Sequence, residues 1–433
     1  LNVYHKMTLA ELQKLTPNFD WTKYFATVGL TNPGDINVAQ PEFFKAFNKM
    51  LKDQPLDTWK EYLKWNVINS LSPYLSDEYV NQNFEFYGKA FSGSKKLLPR
   101  WKRVLSLING EMGEALGQLY VKQYFPPEAK EKMLVLVNNL KDAFRERIQK
   151  LDWMGDSTKQ KAIEKLAAMN VKIGYPDKWR DYSKLEITQD NYIQNILNAN
   201  KFDMEFTLSK IGKAPDRTEW GMSPQTVNAY YSPNMNEIVF PAGILQHPFF
   251  SKDADDAVNY GGIGGVIGHE MTHGFDDQGR QYDKNGNLTD WWTKEDAEKF
   301  TAKTKALIEH YNNYIELDTL HINGALTLGE NIADLGGITI AYDALQKAWK
   351  QNPPKDKIDG LTPTQRYLLS WAQVWRQNIR DEELKKRLKD DVHSPGDARV
   401  NAVVSNLDIF YDAFNVKPGD KLYVAPENRV KIW

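Results

Sequence analysis

Five residues constrain this chain more tightly than anything else in it: His269-Glu270-Met271-Thr272-His273. Histidines four apart share one face of an α-helix, so their rings converge. Two imidazoles fill half of a tetrahedral zinc shell, and a glutamate between them can reach a water on the same metal. Such a site lowers the pKa of that water to about 7, and the carboxylate can take its proton. A helix is therefore predicted here, with Val266 and Ile267 ahead of the motif and Gly274 behind it.

A catalytic zinc takes a third protein ligand and keeps its fourth position open. Downstream, the stretch TLGENIADLGG at 327–337 sets Glu330 and Asp334 four residues apart, again on one helical face. One carboxylate can bind the metal while the other accepts the spare N–H of a ligand histidine and fixes its tautomer. A pair at this spacing also suits a solvated helix face. Its neighbours are Leu, Ile, Ala and Gly rather than Lys and Arg, which points to burial. Two buried carboxylates without partners are costly, and a nearby dication removes that cost.

The remaining composition narrows the class. With 433 residues, 41% hydrophobic and 26% charged, the chain is an ordinary globular sequence with room for two or three domains. Its 55 basic and 57 acidic side chains nearly cancel, so no basic field points to nucleic acid or acidic lipid. No run of 18 or more apolar residues is present, so no membrane span is expected. Cysteine is absent, which excludes disulfides, thiolate metal sites and a cysteine nucleophile, and leaves the compartment open. The chain starts at Leu1 with no signal-like segment and reads as a processed or truncated product.

The first 170 or so residues read as helical. Met133, Leu136, Leu140, Phe144, Ile148 and Leu151 recur at helical spacing over 133–151. Ser157 and Gln160 make a capping-box pattern ahead of a second periodic run through Met169, which Gly174-Tyr175-Pro176-Asp177 stops. The polar stretch that follows is the expected boundary, giving a helical lobe at 1–175 and a catalytic domain at 176–433. Residues 227–231 and 237–240 read as a hairpin, and Thr362-Pro363-Thr364-Gln365 as a capped helix start. The expected class is mainly α with a small β-sheet (α+β).

Taken together, the motifs resemble the neprilysin family of zinc endopeptidases. The likeness rests on VNAYYSPNMNEIVFPAGILQHPFF at 227–250 and NYGGIGGVIGHEMTHGFDDQGRQYDKNGNLTDWW at 259–292. It continues with NGALTLGENIADLGG at 323–337 and VHSPGDARV at 392–400. Weaker similarity reaches back through WMGDSTKQKAIEKL to YHKMTL at 4–9, so it covers essentially the whole chain.

The resemblance implies one zinc ion per chain, held by His269, His273 and Glu330, with Glu270 as general base and Asp334 orienting His269. It implies that His393 meets the oxyanion and that Arg399 binds a substrate carbonyl. Asn228 and Ala229 would lie on an edge strand that pairs with the substrate backbone. A hydrophobic pocket for the residue after the cleaved bond would be walled by Ile244, Phe249, Val266, Val374 and Trp375. Gly265 replaces a bulky Met of the family's namesake and suggests a wider pocket. On the residues alone, Arg399 also suits a surface ion pair, His393 a turn cap and Asn228 ordinary turn chemistry. His5, His247, His310 and His321 have no partner pattern and read as structural.

The fold implied is a thermolysin-like zinc lobe with a helical second lobe, enclosing oligopeptide substrates and excluding folded proteins. Family members are longer on the N-terminal side, so that missing portion of the same protein is the expected partner. The absence of Cys favours a bacterial member, in the periplasm or cell envelope or secreted, with the cytoplasm still open. A zinc aminopeptidase shares the two-His-and-Glu set, but no acidic cluster to hold a free amine stands beside Asn228-Ala229. A scaffold that had lost its chemistry would lack Glu270, Glu330 or His393, and all three are present.

Overall fold

Helix signals in the sequence account for most of what folds. The computed structural model describes residues 3–433, which are mostly helical with three small sheets. Packing divides them into two compact units. One takes in the chain up to Ala90 with Ser94–Arg100 and Asp181–Asp216; the other comprises Phe91–Gly93, Trp101–Arg180 and Arg217–Trp433.

In the first unit, α1 (Leu9–Leu15) starts at a complete capping box. Thr8 accepts from the Glu11 N–H, and the Glu11 carboxylate accepts from the Thr8 N–H. A short antiparallel pair, β1 (Lys6–Met7) with β2 (Ile36–Asn37), flanks it. Leu12, Trp21 and Val38 form a small core, Trp21 coming from α2 (Trp21–Thr27). α3 (Pro41–Asp53) adds Phe44 to its edge. By contrast α4 (Leu56–Leu71) buries no residue, and Leu63, Trp65 and Val67 are each more than half exposed.

The second unit holds the large core. α5 (Pro127–Lys150) buries Met133, Leu136, Leu140, Phe144 and Ile148, as their spacing predicts. α6 (Asp156–Ala168) departs from expectation at its start. Its N-cap is Gly155, and no Ser157–Gln160 box forms. Asp296, distant in sequence, does the capping instead, accepting from the Gly155 N–H at 2.9 Å and the Thr158 hydroxyl at 2.5 Å. A second departure is β3 (Asn170–Gly174), read from sequence as the end of a helical stretch. It pairs in parallel with a strand more than 60 residues away, Val171 opposite Ile238, a non-local contact that no local pattern reports. The expected hairpin forms from β4 (Tyr230–Ser232) and β5 (Glu237–Pro241), with Tyr231 opposite Ile238. The order β3-β5-β4 leaves β4 at the edge.

α7 (Gly265–His273) carries the histidine motif and is buried almost throughout. After α8 (Lys294–Asn312) come the short β6 (Ile315–Leu317) and β7 (Leu320–His321). α9 (Leu328–Gln351) carries Glu330 and Asp334, as the four-residue spacing requires. It crosses α7 backbone to backbone. A Cβ on Gly268 would stand 2.5 Å from the Gly337 carbonyl oxygen, and one on Gly337 would stand 2.5 Å from the His269 nitrogen. α10 (Pro363–Val374) starts at the predicted Thr362–Gln365 capping box, and α11 (Gly396–Val404) follows. The units do not follow the cut expected at residue 175. α5, α6 and β3 belong with α7, because their apolar faces share its core; Phe144 meets Phe275 edge-on at 5.2 Å.

Candidate active site

Because α7 is inside the unit, His269 is buried and His273 mostly so. His269 and His273 bring their Nε2 atoms to 2.9 Å of each other. Each Nδ1 is engaged by a carboxylate: Asp334 Oδ1 at 2.8 Å from His269, Asp276 Oδ2 at 2.7 Å from His273. With each Nδ1–H donated to a carboxylate, the two Nε2 lone pairs face one another. Glu330 adds Oε2 at 3.3 Å from His269 Nε2 and Oε1 at 3.6 Å from His273 Nε2. Its Oε2 is buried and has no hydrogen-bond partner. The three donor groups lie within 4.8 Å of one another. Lone pairs crowded in this way repel unless a cation stands among them, and two imidazoles with one carboxylate are a catalytic zinc donor set. The residues present fit zinc.

Asp334 is fully buried and also holds Arg399, with Nε to Oδ2 and Nη2 to Oδ1 both at 2.7 Å. Burial alone would push the Asp334 carboxyl up, but the Arg399 guanidinium and the His269 ring outweigh it and hold it below the usual range. Arg399 is 6% exposed and lies 3.6 Å from the Trp375 ring centre, so it is no surface ion-pair residue. Among the described residues, its Nη1 alone has no protein acceptor.

Glu270 is buried, which pushes its carboxyl up, and it has no hydrogen-bond partner among the described residues. It opens onto a cavity of about 520 Å³ that His393, Arg399, Asn228 and Ala229 also line. The His393 Nε2 lies 3.4 Å from Glu330 Oε1, while its Nδ1 and backbone N–H both meet Asp391 Oδ1 at 2.9 Å. Burial would raise the Asp391 carboxyl, and the His393 contacts outweigh it and lower it. The Ser394 hydroxyl donates to Asn331 Oδ1 at 2.7 Å, tying the His393 loop to the residue beside Glu330.

Asn228 and Ala229 precede the edge strand β4 and are not part of it. The Asn228 side chain accepts from the Ala229 N–H at 3.0 Å. Ile244, Phe249, Val266 and Trp375 line the apolar part of the cavity. Val374 does not line it; Trp371, one helical turn before Trp375, does. The wider pocket expected from Gly265 is not there. A Cβ on Gly265 would stand 2.8 Å from the Trp371 ring, which already fills that space. Sequence reasoning also missed Asp276 and Asp391. Their signal was local, a carboxylate three residues after one motif histidine and two before another. His310 is structural as expected, its Nε2 bonded to the Ala402 carbonyl.

Two models of one family, described as Peptidase family M13, match residues 1–176 and 228–430. Endothelin-converting enzyme 1 of Bos taurus is 37% identical over 446 residues, covering 100% of this chain and 58% of the relative. Neprilysin of Homo sapiens is 36% identical over 456 residues, covering 100% and 60%. The chain therefore spans about three-fifths of the length of these curated relatives. The crystal structure of Mycobacterium tuberculosis zinc metalloprotease Zmp1 in complex with an inhibitor superposes with a TM-score of 0.95 at 46% identity, over 100% of this chain and 66% of that one. PepO from Lactobacillus rhamnosis gives 0.90 at 32% identity, over 100% and 67%.

Proposed function

The chain belongs to peptidase family M13, and from that premise we propose that it is the zinc-site portion of an endopeptidase that cuts internal bonds of oligopeptides. The observation that carries the proposal is the convergence of His269, His273 and Glu330 beside the unpartnered carboxylate of Glu270 in one cavity.

His269, His273 and Glu330 would hold the metal, with Asp334 and Asp276 keeping both rings in the tautomer that offers Nε2. Zinc held there supplies Lewis acidity toward a water and toward the scissile carbonyl. Glu270 takes the proton of the attacking water at its carboxylate and passes it to the leaving amine. Asp391 anchors the His393 ring through Nδ1, which leaves Nε2 facing the place where an oxygen becomes negative. Arg399 offers Nη1 to a substrate carbonyl while Asp334 fixes the rest of the guanidinium. Asn228 and Ala229, next to the edge of the sheet, receive the extended substrate backbone. Ile244, Phe249, Val266, Trp371 and Trp375 select a hydrophobic residue after the cleaved bond.

The part of the longer relatives that lies outside the matched span, expected on the N-terminal side, is proposed as the partner of this chain. The exposed apolar side chains of α4, Leu63, Trp65 and Val67 among them, support that reading. No helix among the described residues is long and apolar enough to cross a membrane.

The test is cleavage of an internally quenched peptide by wild type and Glu270→Gln, with zinc measured in both. One zinc per chain is expected in each, and turnover about 10²–10⁴-fold lower in the variant. Normal cutting by the variant would falsify the general-base role. Equal cleavage of N-terminally blocked and free peptides separates this activity from an aminopeptidase.

A further inference from the structure

Lys165, on α6, is a buried charge for which the chemistry above has no use. It is 1% exposed, and its ammonium donates to three backbone carbonyls: Gly274 at 2.7 Å, Gly279 at 2.8 Å and Tyr282 at 2.7 Å. An ammonium has three N–H donors, and each here meets one acceptor. A neutral amine would leave one carbonyl facing a lone pair. Burial pushes the ammonium down. The Asp276 and Asp283 carboxylates oppose that, and the rings of Tyr231, Phe275 and Trp291 are centred 5.9, 5.5 and 5.8 Å from it.

All three carbonyls belong to one loop, 274–282, which leaves α7 directly after His273. The loop has two tasks. Asp276 holds His273 Nδ1 with one oxygen, while its other oxygen accepts from the N–H groups of Gln278 at 2.9 Å and Gly279 at 2.6 Å. Gln278, Gly279 and Tyr282 wall the cavity beside His273, as Arg399 and Trp375 wall it beside His269. The loop packs closely: a Cβ on Gly279 would strike the His273 carbonyl oxygen. Its only regular structure is one 3₁₀ turn, Gly279–Gln281. Single bonds also tie it, Arg280 N–H to the Asp276 carbonyl at 3.1 Å and the Trp291 indole to the Tyr282 carbonyl at 2.9 Å, but the lysine gathers three of its carbonyls onto one atom.

We infer that Lys165 is a positioning residue, whose ammonium fixes loop 274–282 so that Asp276 holds His273 as a metal ligand and Gln278, Gly279 and Tyr282 receive the substrate residues before the cleaved bond. The second half rests on the peptidase reading, in which the Trp375 side takes the residue after that bond.

The experiment compares wild type with Lys165→Met, which keeps the length and loses the donors, and Lys165→Arg, which keeps the charge but offers a planar fork. Zinc affinity is measured by competition with a chromophoric chelator. kcat/KM is measured on two peptide series, one varied before the cleaved bond and one after. Both variants are expected to bind zinc about tenfold or more weakly. They are also expected to lose most discrimination before the bond while keeping it after the bond. Zinc affinity and both selectivity series unchanged, whatever happens to the melting temperature, overturn the proposal and leave Lys165 a packing residue. Failure of both variants to fold by circular dichroism overturns it too, because the lysine then holds the fold and not the loop. A wild type that binds zinc and cuts no peptide sinks the peptidase reading and with it the substrate half; the chelator competition still decides the His273 half.

Discussion

At position 334 a single fully buried carboxylate serves two partners of different kinds, the His269 ring and the Arg399 guanidinium. Replacing Asp334 with Asn keeps the shape and removes the charge, so Arg399 is left buried without its counter-ion. Breaking a buried pair in this way costs about 3–5 kcal/mol. Losing the carboxylate behind a ligand histidine costs about 10–100-fold in metal affinity. Asp334→Asn is therefore expected to lower both the urea midpoint and the zinc affinity, by denaturation and by chelator competition. A variant that loses only one of the two shows that the bonds to His269 and Arg399 are separable. Asp334 was legible in the sequence because four-residue spacing within an apolar stretch leaves a carboxylate few other uses. Asp276 and Asp391 were not. A carboxylate two or three residues from a histidine is common on any surface, and only the ring orientation in the fold gives it meaning.

Among the elements, the crossing of α7 and α9 sets the site. Gly268 and Gly337 let the two backbones touch, and that closeness brings Glu330 to within 3.3 Å of His269. A methyl group on residue 337 would press on the His269 backbone nitrogen. Gly337→Ala is expected to destabilise by about 1–3 kcal/mol through overpacking. It should also weaken zinc binding, because the ligands sit on opposite sides of the crossing. If thermal melting shifts while zinc affinity holds, the helices have slid without parting and the crossing does not set the ligand distance. Helices were the legible part of this fold. Local periodicity and the Thr362 box report them, and α5 buries the residues whose spacing marked it. β3 was hidden because five residues become a strand here only by pairing with β5. The cap on α6 was hidden because Asp296 comes from another helix. Val374 and Trp371 exchanged places at the pocket for a similar reason: which side of α10 faces the cavity depends on how the helix is seated.

The whole chain is held by terms that depend on its solvent, and two of them can be read out. Removing zinc leaves Glu330 Oε2 and two facing Nε2 lone pairs buried without a cation. With chelator present, amide exchange is expected to quicken in α7, α9 and loop 274–282. α1 and α2, in the other compact unit with their own core, should be unchanged. Uniform quickening in both units would show that the metal stabilises the chain as one cooperative body. The second term is pH. Glu316 on β6 is half-buried, and burial with the neighbouring Asp397 carboxylate pushes its carboxyl up to about 8 from an ordinary 4.5. Between those values the folded chain binds more protons than the unfolded chain. Stability is therefore fully present below about pH 4.5 and declines as pH rises through 8. Because Glu316 is partly solvated, the loss is on the order of 1 kcal/mol after screening. Other groups titrate in the same window, so the useful quantity is the difference between wild type and Asp397→Asn, which removes the like charge and keeps an acceptor for the Tyr314 hydroxyl. Urea unfolding at pH 5 and pH 8 should show a shallower decline in the variant, which becomes the more stable of the two at pH 8. Parallel declines would mean that the Asp397 charge does not act on the Glu316 carboxyl.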